Sequence, residues 1–216
     1  MKQLVIILDA CRFDILKTLL PRYTSRFLLY PIYSGSHNTP EYYQNITFVN
    51  DYVLVTANPT PLYHKQEHKW KRVIHTKSIH PDDNLKECLE ILRTEEKVVL
   101  HLIPPHIPWQ GEKGKLKWEE MMEKLKFSMN LSPRQRSFGP LNIEEEIYKR
   151  FGNEVRFYYE ENLNLALRAV FKYYPKLPKP FILTADHGEL LGEDGLFGHT
   201  DKSHYILATI PIAVIY

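Results

Sequence analysis

The 216-residue sequence predicts an α/β fold, a three-layer sandwich in which helices flank a mostly parallel central sheet. Two observations predict this fold. Short runs of aliphatic residues are nearly continuous, which is typical of parallel strands buried on both faces. These runs alternate with amphipathic helical patterns, as in βαβ units. The length and the 44% apolar content suit one domain, which we expect to span residues 1–216.

The first forty residues are predicted to contain two strands and two helices. These elements are expected at residues 3–8, 13–20 and 26–33 and from residue 39 onward. The first strand is an apolar run that ends abruptly at Asp9, and Pro21 closes the first helix. Thr39 is the expected N-cap of the second helix, because Pro40 suits the first helical position.

The middle of the chain is predicted to contain a short strand over 53–56, a helix and a strand over 98–103. Asp82 or Asp83 is expected to cap the helix, which continues through Leu92 with apolar residues every three or four positions. The last strand runs into a proline-rich loop that contains His106. The run 64–72 resembles a basic patch for nucleic acid, but its acidic residues favour a solvated loop.

Residues 110–152 depart from this pattern, since they are rich in Lys and Glu and contain few candidates for a core. We expect them to form an excursion over the carboxyl ends of the strands. The remaining elements are predicted at 153–174, 181–183 and 206–215. Pro175 ends the helix, whereas Pro211 within the last run suits a strand near a sheet edge.

Composition narrows the classes of function. A formal net charge of +2 requires neither nucleic acid nor an anionic membrane as a partner. Because no apolar stretch reaches about 18 residues and no signal peptide is evident, we expect no membrane span and a cytoplasmic protein. Cys11 and Cys88 lie far apart, and we expect no disulfide framework.

Three predicted strands are followed by side chains that bind metals, namely Asp9, His106 and the pair Asp186-His187. Ligands of open parallel sheets bind at the carboxyl ends of strands, so these groups should converge. Carboxylates mixed with imidazoles favour zinc or manganese over calcium or magnesium. Asp9 could instead pair with Arg12, and His106 could be a simple loop residue. The adjacent Asp186 and His187 favour a metal site, because buried charge is costly unless it pairs or coordinates.

The stretch DHGELLGEDGLFGH, from Asp186 to His199, resembles the alkaline phosphatase and sulfatase superfamily, as do LVIILDACRFD and LHLIPPHIPW. The similarity is greatest to the branch of sulfatases, phosphoethanolamine transferases and lipoteichoic acid synthases. It implies an alkaline phosphatase-like fold with one or two divalent ions, Zn²⁺ or Mn²⁺. The metal ligands that it implies are Asp9, Asp186, His187 and His199. It implies a substrate-side or second-metal role for His106, and together His106 and His199 could complete a second metal site, bind the ester oxygens or protonate the leaving group. Glu189 and Glu193 are expected to support the loop or the imidazoles.

The nucleophile in that family is a Ser, a Thr or a formylglycine-forming Cys at a helix start after the second strand. Here the region reads SGSHNTPEYY, and without Cys-x-Pro-Ser-Arg arylsulfatase activity is disfavoured. Asn38 stands where sulfatases have the nucleophile and cannot serve. Thr39 is the first choice, because helix-terminal amides would favour its alkoxide and a bound phosphate, and Ser36 is the second. Alternatively, Thr39 only caps the helix and there is no nucleophile.

The predicted function is metal-dependent hydrolysis of a small anionic substrate, a phosphate mono- or diester, with sulfate esters less favoured. Two alternatives stay open at this point. The degraded nucleophile motif suits a catalytically impaired metal-binding protein. The resemblance also allows a soluble transferase of a phosphoryl-linked head group, although such relatives are membrane-anchored. The sequence does not indicate the natural substrate or the oligomeric state.

Overall fold

The computed structural model describes residues 2–47, 49–129, 150–199 and 204–216. Within these ranges the strands are β1 (Gln3–Leu8), β2 (Phe27–Tyr33), β3 (Val53–Thr56), β4 (Arg72–His75), β5 (Lys97–Leu102), β6 (Phe181–Thr184), β7 (Leu190–Leu191), β8 (Phe197–Gly198) and β9 (Thr209–Ile215). The α-helices are α1 (Phe13–Leu19), α2 (Thr39–Asn45), α3 (Thr60–Tyr63), α4 (Pro81–Thr94), α5 (Glu112–Met129), α6 (Glu154–Tyr173) and α7 (Tyr205–Ala208).

Seven strands form one sheet in the order β2-β9-β6-β1-β5-β3-β4. Strand β1 lies parallel to β5 and β6, and β3 lies parallel to β4 and β5. Strand β9 runs antiparallel to both of its neighbours, β2 and β6. The carboxyl ends of β1, β5 and β6 therefore lie side by side. This arrangement confirms the predicted α/β fold with a mostly parallel sheet.

Helices lie on both faces of the sheet because side chains alternate along each strand. Leu4, Ile6 and Leu8 of β1 pack into a core with α1, α4 and α6. Ile7 points to the opposite face, where Tyr43 of α2 contributes to a second core. The two cores and their helices give the three layers that the sequence predicts.

The second face is exposed at the outer strand β2. Leu28, Tyr30 and Ile32 lie on the same face and are 45%, 56% and 38% exposed. Pro31, between them, stands directly opposite Pro211 of β9. Two opposed prolines cannot form a hydrogen-bonded pair, because neither has an N–H group. The backbone of Pro31 therefore faces the outer edge of the sheet.

Strand β9 lies near the sheet edge, as predicted, but it is the second strand and not the outermost one. Its pairing with β6 ends at Ile212, so no N–H group is needed at Pro211. The carbonyl of Pro211 accepts a hydrogen bond from the Thr184 hydroxyl at 2.7 Å. These contacts explain how a proline is accommodated between two strands.

Both predicted helix caps are wrong. The N-cap of α2 is Asn38, and Thr39 is the first helical residue. The side-chain oxygen of Asn38 accepts a hydrogen bond from the N–H group of Glu41 at 2.9 Å, which is the usual function of an N-cap. Helix α4 is capped by His80, not by Asp82 or Asp83, because a proline already takes its first position.

Strand β4 is not predicted from the sequence, since its four residues begin with Arg72 and end with His75. Helix α5 occupies the start of the predicted excursion, and residues 130–149 lie outside the described ranges. The first turn of α5 is attached to α6, because Glu161 accepts a hydrogen bond from the Gly114 N–H group at 2.8 Å. The course of residues 130–149 over the ends of the strands stays a prediction. None of the helices in the described ranges is long and apolar enough to cross a membrane.

Candidate metal centre

Asp9 is positioned by the hydrogen bonding of the sheet. Its backbone N–H group donates to the carbonyl of Leu102 at 3.0 Å, which continues the β1–β5 ladder by one residue. The side chain is 2% exposed, and Oδ2 accepts a hydrogen bond from the Asn58 side chain at 2.7 Å. The alternative that Asp9 pairs with Arg12 is not found, since Arg12 pairs with Asp14 and Glu193.

The chain turns sharply after Asp9 at Ala10, whose φ of 58° is in the left-handed region. The Tyr159 hydroxyl donates to the carbonyl of Ala10 at 2.7 Å and accepts from the N–H group of Arg12 at 2.8 Å. A non-glycine residue in this conformation is strained by about 1–2 kcal/mol. Tyr159 thus holds the turn so that the Ala10 N–H group points at Asp186.

Asp186 follows β6 and is fully buried. Its Oδ1 accepts hydrogen bonds from the N–H groups of Ala10 at 2.9 Å and His187 at 3.0 Å. Its Oδ2 accepts a hydrogen bond from the Thr39 hydroxyl at 2.8 Å. One carboxylate therefore links the ends of β1 and β6 to the start of α2.

His187 has a defined tautomer. Its Nδ1 lies 2.7 Å from the carbonyl of Gly188, and because a carbonyl only accepts, Nδ1 carries the proton. Nε2 then faces Thr39 Oγ1 at 3.2 Å, Asp186 Oδ2 at 3.4 Å and Asp9 Oδ1 at 3.7 Å. Burial lowers the pKa of His187 and favours the neutral ring. A neutral imidazole held in this way is the form that binds metals.

Gly188 is required for this arrangement of backbone. A Cβ atom at this position would lie 2.1 Å from the carbonyl oxygen of Ile206. The Gly188 N–H group also donates to the carbonyl of Leu207 at 2.7 Å. The glycine of the Asp-His-Gly sequence thus allows the segment after β6 to pack directly against α7.

We call Asp9, Asp186 and His187 the inner cluster. Their potential ligand atoms lie within 4.8 Å of one another. Of the two candidate nucleophiles, Thr39 lies against this cluster, whereas the Ser36 hydroxyl is 3.4 Å from the side-chain nitrogen of Asn45. The geometry brings the Thr39 hydroxyl into contact with the predicted metal ligands, and among the described residues the contact of the Ser36 hydroxyl is with Asn45.

We call His106, Glu189 and His199 the outer cluster, whose potential ligand atoms also lie within 4.8 Å. Glu189 is fully buried, and neither carboxylate oxygen has a hydrogen bond in the described part of the chain. The nearest imidazole nitrogens belong to His199 at 3.4 Å and His106 at 3.9 Å. A buried carboxylate without hydrogen bonds is costly, and a cation would remove that cost.

The outer cluster brings His199 and His106 together, the pair that could complete a second metal site. The Nε2 atom of His199 faces Glu189 Oε1 at 3.4 Å, and its ring stacks on that of His106 with centroids 5.3 Å apart. The His187 ring meets the His199 ring edge-on, with centroids 4.4 Å apart. Glu189, predicted to have a supporting role, lies among the candidate ligands. The metal-binding role of each residue stays a prediction.

The hairpin of β7 and β8 connects Glu189 to His199, and Arg12 braces it. The buried Arg12 guanidinium forms ion pairs with Asp14 at 2.8 Å and with Glu193, and it donates to the carbonyl of Glu189 at 3.3 Å. Glu193 also accepts a hydrogen bond from the N–H group of Leu191 at 2.7 Å. This agrees with the supporting role predicted for Glu193 in the loop.

His101 contributes to the centre but is missed by the sequence analysis. It is fully buried on β5, with Nε2 3.5 Å from Asp9 Oδ2 and 3.8 Å from Asp186 Oδ2. Burial acts to lower the pKa of His101, but the two carboxylates raise it overall. Likewise, burial acts to raise the pKa of Asp9, but the hydrogen bond and charge of His101 and the charges of other nearby imidazoles lower it overall. A histidine within an apolar run was the available signal, since a buried imidazole needs polar partners.

No family model matches the chain, and a search of curated proteins finds no match. Solved structures share its fold. The soluble domain of lipooligosaccharide phosphoethanolamine transferase A from Neisseria meningitidis superposes with a TM-score of 0.58 at 13% identity, covering 100% of this chain and 76% of that one. The structure of the integral membrane protein lipooligosaccharide phosphoethanolamine transferase A (EptA) from the same organism superposes with a TM-score of 0.59 at 14% identity, covering 100% of this chain and 48% of that one.

The carboxy-terminal periplasmic domain of EptC from Escherichia coli, in complex with Zn, is a third similar structure. Its TM-score is 0.53 at 15% identity, covering 99% of this chain and 72% of that one. At these identities the three structures show that the chain shares their fold. The chain spans about half of the integral membrane protein and roughly three quarters of the two domains.

Proposed function

We propose that this protein is a metal-dependent hydrolase of phosphate mono- or diesters and that Thr39 is its nucleophile. One observation carries the proposal. The Thr39 hydroxyl lies 2.8 Å from Asp186 Oδ2, 3.2 Å from His187 Nε2 and 3.5 Å from Asp9 Oδ1. A hydroxyl that only capped a helix would not need three metal-binding side chains around it.

The donor atoms of both clusters suit a transition metal. The inner cluster offers two carboxylates and an imidazole with a free Nε2, and the outer cluster offers one carboxylate and two imidazoles. This mixture of oxygen and nitrogen supports Zn²⁺ or Mn²⁺ as the resident ion. A bound divalent ion would lower the pKa of the Thr39 hydroxyl and neutralise charge on the phosphoryl oxygens.

The side chains of the two clusters suit a two-step displacement. The Thr39 oxygen forms a bond to phosphorus while the bond from phosphorus to the leaving alcohol breaks. The hydroxyl proton already points at Asp186 Oδ2, which receives it. His106 or His199, whichever is not bound to an ion, would give a proton to the leaving oxygen. A water molecule then attacks phosphorus and returns a proton to that imidazole, while Thr39 leaves and takes its proton back from Asp186.

A head-group transferase is the second candidate, and it differs in the final acceptor, an alcohol in place of water. The fold likeness to phosphoethanolamine transferases favours it. The two candidates share the Thr39 step and are separated by the ratio of alcohol transfer to hydrolysis. For either one, we propose a small anionic ester as the substrate.

The test uses purified protein loaded with zinc or manganese, with p-nitrophenyl phosphate and its bis ester as substrates. We expect turnover that Thr39→Ala abolishes and Ser36→Ala leaves within about twofold. Thr39→Ser should retain measurable turnover, because it keeps a hydroxyl at this position. Added glycerol or ethanolamine should yield a phosphorylated alcohol if the protein is a transferase. Metal binding without turnover of either ester would support the impaired metal-binding alternative.

A further inference from the structure

Tyr43 connects the centre to the helix that carries Thr39. The Tyr43 hydroxyl lies 2.7 Å from His101 Nδ1, and both side chains are fully buried. On the other side of the imidazole ring, His101 Nε2 points between Asp9 and Asp186. A chain of polar contacts thus runs from α2 through β5 to both carboxylates of the inner cluster.

The His101 ring is held between these partners. Its Nδ1 lies 2.7 Å from the Tyr43 hydroxyl, and its Nε2 lies 3.5 Å from Asp9 Oδ2 and 3.8 Å from Asp186 Oδ2. A phenol hydroxyl can donate to an imidazole nitrogen or accept from its N–H group, so this contact is a hydrogen bond in either protonation state of the ring. The Tyr43 hydroxyl therefore fixes the orientation in which His101 presents Nε2 to the centre.

Tyr43 and Thr39 lie one turn apart on α2 and so share one face of the helix. The Thr39 hydroxyl is fixed by Asp186, and the Tyr43 hydroxyl is fixed by His101. The Tyr43 ring also packs edge-on against Trp70, with centroids 6.2 Å apart. Helix α2 is therefore attached to the centre at two points, one of which is the candidate nucleophile.

We infer that Tyr43 is a positioning residue for Thr39 and acts through His101, an inference that rests on the proposed function. Without the Tyr43 hydroxyl, the His101 ring loses the hydrogen-bond partner that fixes its orientation. Helix α2 then keeps one polar attachment to the centre in place of two. Because displacements of about 1 Å cost up to about 100-fold in rate, a smaller displacement of Thr39 should lower kcat about tenfold.

The experiment compares Tyr43→Phe with Tyr52→Phe in the zinc-loaded protein, using bis(p-nitrophenyl) phosphate. Both changes remove one hydrogen-bonded hydroxyl and keep the ring, but the Tyr52 hydroxyl donates to Gln3 Oε1 at the start of β1, away from the centre. We expect Tyr43→Phe to lower kcat about tenfold with KM within about twofold, at unchanged zinc content. We expect Tyr52→Phe to change kcat less than twofold. The effects of Tyr43→Phe and His101→Gln should not multiply in the double variant.

Equal kcat values for the two phenylalanine variants, or effects that multiply in the double variant, would overturn the inference. A second measurement does not depend on turnover. The ¹⁵N chemical shift of His101 Nδ1 should differ between the parent protein and Tyr43→Phe, because the variant removes the hydrogen bond of that nitrogen. Unchanged shifts would overturn the inference even for an active enzyme. Changed shifts in a protein that hydrolyses neither ester would reject the proposed function and retain the anchoring of His101.

Discussion

The inner and outer clusters each contain a fully buried carboxylate, but the chain treats the two carboxylates differently. Asp186 accepts three hydrogen bonds from the protein itself. Glu189 accepts none in the described part of the chain. The inner cluster is therefore organised by its own polypeptide, whereas the outer cluster needs a cation or ligand to compensate its charge.

The difference follows from the elements that carry the clusters. Asp9 directly follows β1 and Asp186 lies two residues after β6, where the ladder hydrogen bonds of adjacent parallel strands fix the backbone. His106 lies in the loop after β5, and Glu189 and His199 flank the β7–β8 hairpin. Strand ends supply precise positions, and loops allow the outer side chains to adjust to what they bind.

The largest effect is expected when the inner carboxylate becomes an amide. Asp186→Asn removes a charge and replaces one acceptor oxygen by a donor, so it cannot accept all three hydrogen bonds. We expect turnover to fall about 1000-fold and the metal-free free energy of unfolding to fall by about 1–3 kcal/mol. Ester kinetics and urea denaturation measure both effects. Asp51→Asn, which alters an ion pair with Lys97, is the control, and Asp186→Asn activity within tenfold of the parent would exclude Asp186 from the mechanism.

The corresponding change in the outer cluster should have the opposite sign in the metal-free protein. Glu189→Gln removes a buried charge that lacks hydrogen bonds, and we expect the free energy of unfolding to rise by about 1–2 kcal/mol. The stabilisation gained on adding zinc should shrink. Thermal unfolding with and without zinc tests this. A loss of stability equal to that of Asp186→Asn would mean that the two clusters do not differ.

The Arg12 brace should give a smaller, pH-dependent effect. Burial acts to raise the pKa of Glu193, but the hydrogen bond from Arg12 lowers it overall. The ionised form is therefore favoured in the folded state. The contribution of ionised Glu193 to the free energy of unfolding is complete above the ordinary glutamate pKa. It is lost as the pH falls through the lower pKa of the folded state. We expect Glu193→Gln to cost about 0.5–1 kcal/mol near pH 7, since the side chain is partly exposed.

Urea denaturation of Glu193→Gln and the parent protein, near pH 7 and again near pH 3, measures this dependence. The difference in the free energy of unfolding should disappear at the lower pH. A difference that stays constant would mean that the variant loses packing and not an ion pair.

The smallest effect is expected at the turn after β1. Ala10→Gly relieves the left-handed strain but makes the unfolded chain more flexible, so the free energy of unfolding should change by less than about 0.5 kcal/mol. Ala213→Gly, in the ordinary backbone of β9, should cost about 1 kcal/mol. Chemical denaturation compares the two variants, and an equal loss in both would mean that Ala10 is not strained.

The sequence predicted the inner cluster well because it depends on strand ends. A continuous apolar run that stops at an acidic residue indicates both a buried parallel strand and the edge where ligands bind. Asp9 and Asp186 follow such runs, and the sheet brings them together. Thr39 also lies where the helix start was expected, although Asn38 is the residue that caps it.

The sequence did not predict His101 or the place of Glu189 among the candidate ligands of the outer cluster. The apolar neighbours of His101 made it look like part of a core, and its partners come from three distant segments. The meeting of Glu189 with His106 depends on how a hairpin folds back, which periodicity does not encode. Short strands with charged ends, such as β4, are missed because their pattern is that of a loop.

The paired prolines in β2 and β9 have a consequence for how the protein behaves at high concentration. An outer strand with exposed Leu28, Tyr30 and Ile32 would be a template on which a foreign strand could add and start a fibril. Pro31 presents its ring, without an N–H group, at the middle of that free edge. A strand that added there could not complete its hydrogen bonds. The two prolines thus act as a gatekeeper against aggregation.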